Sequence, residues 1–471
     1  MKNLNELTIK EAKAGLKAKE FTSVELTKAC LEQIIKHNQR LNAFITIVEK
    51  EALEQAAKAD LLISSGQDLP LLGIPLALKD LFSTKGIKTT AASNVLRNYI
   101  PTYDATVVKK LKAAGAIIIG KTNLDAWAHG SSGENSDFGP TKNPWNIDYV
   151  PGGSSSGSAV SVASNMCLAA TGTDTGGSIR LPACFNNVVG LKPTYGRVSR
   201  YGIVAMASSL DSIGHFTKTV EDSALLFNIT AGSDEMDSTT LPAIPEDFTQ
   251  DLEKSIKGIK IGIPKEFVTK DIDREVKSAF EKSVKVLKDM GAEIIEVSLP
   301  YTEYGTAAYY IIQPSEVSSN LARYDGIRYG KGRGSFGDEA RRRIMLGTFT
   351  LSSGYYDAYY KKAMQVRTLI KKDFDDAFKK IDALISPVCP TIPWKLGEKI
   401  NDPLKMYLSD VLTVTANIAG IPGLSVPAGF SNNKLPIGIQ IMGKQLSEKL
   451  LFQIGSAFEK QTNYYKEKPN L

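Results

Sequence analysis

The sequence predicts one large α/β domain. Three observations carry that expectation. Amphipathic helical stretches alternate with short apolar strand-like runs, first over residues 104–119 and again from about residue 257. Of 471 residues, 42% are in the set AVILMFWYC, and 38 glycines bring the apolar share near half. That is enough for a packed core and argues against disorder. No internal repeat and no low-complexity linker divides the chain, although its length alone would allow about three domains of ~150 residues.

The elements are justified in order. Residues 1–65 read as helices. In residues 22–37, Val24, Leu26, Cys30, Leu31, Ile34 and Ile35 fall at helical spacing, with Ser23 as the expected N-cap. Gly66 to Pro70 break the pattern. Residues 71–78 are an apolar run, read as a buried strand that stops at Lys79-Asp80. Residues 104–114 read as a helix and 116–119 as a short strand. Residues 130–215 are rich in Gly, Ser and Thr. Residues 233–249 are the best surface connection. Strands are expected at 259–263, 292–297, 383–386 and 437–442, an amphipathic helix at 273–290, and a helical stretch rich in Tyr and Arg from about 304 to 380. The domain 1–471 thus has a helical part (1–65), a Gly/Ser-rich core (66–232) and a C-terminal α/β part (250–471).

Composition excludes several functions. Against 51 acidic residues stand 57 Lys and Arg, a net +6, too mild for a dedicated nucleic-acid binder. Lys361, Lys362, Lys371 and Lys372 read as a solvated helical face. The four cysteines lie far apart with no CxxC pair, which fits a reducing cytoplasm, and three histidines do not suit a multi-histidine metal site. No secretory h-region opens the chain and no apolar run approaches the ~18 residues of a membrane span, so a cytoplasmic location is expected.

Three patterns suggest chemistry and are set aside. Gly115-Ala-Ile-Ile-Ile-Gly120-Lys121-Thr122 matches GxxxxGK[ST], but three isoleucines favour a strand where a phosphate loop needs a flexible turn. Asp174-Thr175-Gly176 matches an aspartic-protease triplet, yet the chain has no second one to share a proton. His129 could serve as a base, but a lone histidine is more often structural, and a better candidate exists.

That candidate is Lys79. A serine hydroxyl is a weak nucleophile until a base takes its proton. Lysine can be that base if burial lowers its pKa from ~10.4 towards neutrality, and Lys79 ends an apolar run. Gly176-Gly177-Ser178 would let backbone N–H groups converge on an oxyanion. The cluster Gly152-Gly153-Ser154-Ser155-Ser156-Gly157-Ser158 offers a second hydroxyl as a proton relay. Composition alone leaves a flexible loop open for each cluster; both together, below a buried lysine, suggest a serine–lysine hydrolase.

Pro151-Gly-Gly-Ser-Ser-Ser-Gly-Ser-Ala159, Gly172-Thr-Asp-Thr-Gly-Gly-Ser-Ile-Arg180 and Leu76-Ala-Leu-Lys-Asp80, with Lys79, Ser154 and Ser178 spaced 75 and 24 residues apart, resemble the core of the amidase-signature family. The likeness runs over nearly the whole chain. It implies the amidase-signature fold, a large mixed central sheet flanked on both faces by helices. It implies Ser178 as acyl-forming nucleophile, Ser154 as a bridging serine after a cis peptide bond, Lys79 as base, and Thr175, Gly176 and Gly177 as oxyanion donors. Within the family, segments 309–320, 323–330 and 346–357 resemble the glutaminase subunits of tRNA-dependent amidotransferases. That likeness implies glutamine as substrate, with Arg343 on its carboxylate, Asp410 on its ammonium and Tyr309 lining the pocket. It also implies subunits B and C as partners in a heterotrimer, Glu-tRNA(Gln) as acceptor, and no cofactor in this chain, ATP and magnesium being used by the B subunit. Taken alone, Arg343 belongs to a basic run that reads as solvated, and Asp410 reads as a surface or capping residue. Ser156 stands where many relatives have Gly, and His215 where they often have Pro. A stand-alone amidase and a non-catalytic scaffold are the rival readings.

Overall fold

The computed structural model describes residues 3–242, 246–269, 271–324, 326 and 330–471. Eleven strands form one mixed sheet: β1 (Phe44–Ile47), β2 (Pro75–Lys79), β3 (Ile117–Thr122), β4 (Ala169–Asp174), β5 (Val189–Lys192), β6 (Ser212–Thr217), β7 (Lys260–Pro264), β8 (Glu293–Val297), β9 (Ala383–Pro387), β10 (Gly423–Phe430) and β11 (Pro436–Gly443). Their order across the sheet is β1-β3-β2-β4-β6-β5-β10-β11-β9-β7-β8. Every residue of β2 to β6, β9 and β11 is buried. A strand buried on both faces needs cover on both, and helices supply it. Arg180–Asn186 packs on β5, β10 and β11, Val220–Thr230 on β5 and β6, and Glu448–Thr462 on β10 and β11.

The topology brings distant segments to one edge. β2 lies between β3 and β4, parallel to both, with Ala77 opposite Ala170. Lys79 at the end of β2 and Asp174 at the end of β4 therefore leave the sheet on the same side. The carboxyl ends of adjacent parallel strands form a natural crevice there.

Several elements differ from the sequence reading. The helix over Ser23–Leu41 is capped by Thr22, not Ser23: the Glu25 N–H donates to Thr22 Oγ1 at 3.1 Å, and Glu25 Oε2 accepts from the Thr22 N–H at 2.7 Å. The first 65 residues are not all helix, because β1 pairs antiparallel with β3 and edges the sheet. The 71–78 run is strand only from Pro75. The 304–380 stretch is broken into Gly305–Leu321, Asp338–Leu351, a π-helical turn at Asp357–Lys361, and Lys362–Ala377. Within it, positions 325 and 327–329 of the 323–330 motif lie outside the described residues, as do 243–245 of the 233–249 connection. Strands β4, β5, β6 and β10 carry no clear strand signal in the sequence, since small residues and prolines interrupt it.

The last six residues of the GxxxxGK[ST] pattern are strand β3. Its Lys121 is wholly buried, 3.2 Å from Asp80 Oδ1, and donates to the Phe82 carbonyl at 2.8 Å and Thr89 Oγ1 at 2.7 Å. His215 holds Ser223 Oγ at 2.8 Å through Nε2, and Ser156 Oγ donates to Thr141 Oγ1 at 3.0 Å, so both departures from the family pattern are satisfied locally. Lys361, Lys371 and Lys372 pair with acids four residues away. All four cysteines are buried and free. Among the described residues no helix is long and apolar enough to cross a membrane.

Candidate active site

Lys79 is fully buried at the end of β2. Its Nζ lies 2.9 Å from Ser154 Oγ, 2.9 Å from Ser155 Oγ and 2.7 Å from Thr173 Oγ1. Burial pushes its pKa down to about 7, against the pull of Asp125, Asp211 and Asp174. A neutral amine keeps one lone pair to accept a proton. Ser155 cannot supply that proton, because its hydroxyl donates to the Thr173 carbonyl at 3.1 Å. Ser154 and Thr173 are the hydroxyls free to donate to the amine.

Ser154 follows a cis peptide bond at Gly153. Gly153 has no room for a side chain: a Cβ there would collide with Asp125 Oδ2 and lie 2.9 Å from the Gly133 and Ser132 nitrogens. The Asp125 carboxylate accepts from Gly133 N at 2.9 Å and Asn135 N at 2.9 Å, while its own N–H donates to the Ser154 carbonyl at 3.1 Å. Asp125 thereby ties its own segment and the 133–135 loop to the Ser154 turn. Burial pushes its carboxyl up to about 7 despite those two N–H donors.

The Ser178 turn leaves β4 and enters helix Arg180–Asn186. It is tied to the first turn by the Ser155 N–H, which donates to the Ser178 carbonyl at 3.2 Å. Ser178 is itself 8% exposed. Among the described residues the N–H groups of Gly176, Gly177 and Ser178 find no acceptor, which leaves them open to an oxyanion. Thr413 Oγ1 donates to the Gly176 carbonyl at 2.6 Å. Thr175 Oγ1 donates to Asp211 at 2.7 Å, and Asp211 also accepts from Met206 N at 3.0 Å. Below the turn, Arg180 clamps Asp174 with Nε at 3.0 Å and Nη2 at 3.1 Å and reaches Asn417 at 2.6 Å and Gln440 at 2.8 Å. Burial would raise the Asp174 carboxyl, but Arg180's charge and hydrogen bonds outweigh it and hold it down at about 2. A fully satisfied buried network of this kind fixes the turn that it supports.

The three expected substrate residues, Tyr309, Arg343 and Asp410, gather around Tyr310. Tyr309 abuts Gly176: a Cβ there would sit 2.7 Å from the tyrosine Cζ and Oη. Arg343 is 3% exposed, whereas its neighbours Arg341 and Arg342 are 47% and 44% exposed, so the basic run is solvated only at its first two positions. Its guanidinium lies 5.4 Å over the Tyr310 ring and 5.8 Å over Tyr407. Nε donates to Glu339 at 2.8 Å and Nη1 to Gln313 Oε1 at 2.9 Å. Asp410 is buried, not a surface cap. It accepts from Ser131 Oγ at 2.7 Å and from the Tyr310 hydroxyl at 2.9 Å. Burial pushes its carboxyl up to about 6 against those two donors. Tyr310 is therefore a shared wall, with the cation over its face and the anion on its hydroxyl. His129 is wholly buried, and burial and the charge of Arg343 keep its imidazole neutral. It contacts none of the three hydroxyls around Lys79.

Sequence reasoning missed Ser155, Thr173, Asp125, Asp211, Ser131, Tyr310 and Thr413. Ser155 and Thr173 stand inside the two glycine-rich motifs. Tyr310 stands in the 309–320 segment, but the segment does not reveal its part in the site. Asp211, Tyr310, Thr413 and Ser131 act across 36 to 279 residues of chain, and Asp125 acts through the loop around it, where no pattern marks it.

A family model described as Amidase matches residues 25–452. The chain is 51% identical, over 99% of its length and all of the relative's, to the A subunit of glutamyl-tRNA(Gln) amidotransferase from Desulfatibacillum aliphaticivorans. Among solved structures, it is similar to the A subunit of glutamyl-tRNA(Gln) amidotransferase from Thermotoga maritima at 44% identity and TM-score 0.83, covering 97% of this chain and 95% of that one. It is also similar to native peptide amidase from Stenotrophomonas maltophilia at 31% identity and TM-score 0.85, covering 98% of each.

Proposed function

The chain belongs to the amidase family, and from that premise we propose that it is the glutamine-hydrolysing subunit of a tRNA-dependent amidotransferase. The observation that carries the glutamine reading is the pair of buried opposite charges, Arg343 and Asp410, on either side of Tyr310. An α-amino acid head group offers a carboxylate for the first and an ammonium for the second. Tyr309, against Gly176, lies between that head group and the reacting end.

The reaction follows from the groups around Lys79. Ser178 Oγ attacks the carboxamide carbon of glutamine, and its proton passes through Ser154 to the neutral Lys79. The oxyanion is met by backbone N–H groups of the Thr175-Gly176-Gly177-Ser178 turn. Collapse returns the proton from Lys79 to the leaving nitrogen, so ammonia departs and a γ-glutamyl ester remains on Ser178. Water then attacks the ester and gives its proton to Lys79, which returns it through Ser154 to Ser178 Oγ as glutamate leaves. In the complex, ammonia passes to a B subunit, which uses ATP and magnesium to activate Glu-tRNA(Gln) for amidation. A small C subunit is the third member, and the assembly works in the cytoplasm. The names of the full-length relatives support this assignment.

The test is to tag the chain in its native cell, purify it gently, and identify what accompanies it. Stoichiometric recovery of an ATP-binding partner and a small third chain, with ammonia release from glutamine, is the expected result. Recovery of this chain alone, active on other primary amides and inactive on glutamine, would overturn it in favour of a stand-alone amidase.

A further inference from the structure

Next to Arg343 the structure leaves polar groups without partners. His129 is wholly buried, and among the described residues neither of its ring nitrogens has a hydrogen-bond partner. Gln313 is equally buried. Its Oε1 accepts from Arg343 Nη1, and its Nε2 is unpaired. Leaving such groups dry and unpaired costs stability, so two in one place imply that something else completes them.

The surrounding chain brackets the spot between the two charges of the pocket. Two residues before His129, Trp127 stacks on Phe336 at 5.2 Å, just ahead of the helix that carries Arg343. Two residues after it, Ser131 donates to Asp410. A polar cavity of about 500 Å³ opens alongside, lined by Gly130, Asn135, Glu339 and Tyr407 among others. Trp127 and Ala128 hold positive φ angles of 60° and 64°. Non-glycine residues pay for that conformation, and such strain gathers where a side chain must be aimed.

Resting on the glutamine reading above, we infer that His129 and Gln313 are substrate-binding residues that complete the head-group end of the pocket. A neutral imidazole has one donor and one acceptor. The α-carboxylate held by Arg343 takes the donor, and the α-ammonium held by Asp410 fills the acceptor. Gln313 Nε2 donates a second hydrogen bond to the carboxylate. The pair thus selects a zwitterionic α-amino acid over a simple amide, and it does so without adding net charge beside Arg343.

The test is His129→Met in the full chain, with ammonia release from glutamine and competitive inhibition by glutamate as readouts. Losing a hydrogen bond to a charged group weakens binding by about tenfold to a hundredfold. KM for glutamine and Ki for glutamate rise together by that factor, while kcat stays within about twofold. The melting temperature does not fall, because an unpaired imidazole is exchanged for an apolar side chain. His129→Asn, which restores a donor and an acceptor, recovers part of the affinity, and Gln313→Met raises KM as well. Unchanged KM and Ki in His129→Met, or a fall in kcat and melting temperature with KM unaltered, would overturn the inference. A wild-type protein that releases no ammonia from glutamine would overturn the glutaminase reading itself, and the inference with it.

Discussion

Replacing Lys79 by Met removes the base and keeps a linear apolar side chain of similar length. The structure sets the size of the effect. Lys79 Nζ has three hydroxyl neighbours within 2.9 Å and a pKa lowered by burial from 10.5 to about 7. At pH 7 about half of such lysines are neutral; at the unshifted value about one in 3,000 would be. The wild-type kcat/KM for glutamine therefore rises with pH through about 7 and levels off above it, because the neutral amine is the active form. A positioned base contributes ~10²–10⁴-fold, and among the described residues no other basic side chain is hydrogen-bonded to the Ser154 hydroxyl to replace it, so Lys79→Met loses towards the upper end of that range. Stability moves the other way. The folded pKa lies below the unfolded one, so between about 7 and 10.5 the unfolded chain binds the extra proton and burial of this amine costs stability that rises again with pH. Lys79→Met should thus melt higher than wild type at pH 7. Ammonia release across pH 7 and a thermal melt check both. A flat profile through pH 7, or a variant within tenfold of wild-type activity, would refute the reasoning.

Three further outcomes follow. Arg343→Lys keeps the charge but loses the planar fork over Tyr310, and KM for glutamine should rise about tenfold or more with kcat little changed, measured by steady-state ammonia release. Asp410 binds the ammonium only as a carboxylate, and its pKa is about 6; wild-type KM should climb as pH falls below that value, and Asp410→Asn should flatten that limb while raising KM at every pH. Asp174→Ala strands the buried Arg180 cation and should destabilise the fold by about 3–5 kcal/mol in denaturant titration.

What is legible in the sequence is what local composition encodes. The two glycine-serine turns and the lysine at the end of an apolar run stand in contiguous motifs, and their chemistry can be argued from residue types. What joins them cannot. The contact of Lys79 with Thr173 depends on β2 lying parallel beside β4, and β4 is Ala-Ala-Thr-Gly-Thr-Asp, too small and polar to read as a strand. The Arg341-Arg342-Arg343 run shows the same limit. Successive helical residues point about 100° apart, so one of the three can turn inward, and only the packing of Gly305–Leu321 against Asp338–Leu351 decides that it is Arg343. His129 reads as structural because a lone histidine carries no pattern; its unpaired nitrogens show only once the fold encloses it.

The central claim is that Ser178 carries the acyl group taken from glutamine. Rapid quenching of the protein during glutamine turnover, followed by peptide mass spectrometry, tests it directly. The account predicts an adduct with the mass of glutamine less ammonia on the peptide containing Ser178, absent from Ser178→Ala, which also releases no ammonia. An adduct on another residue, or ammonia release near the wild-type rate from Ser178→Ala, would contradict it.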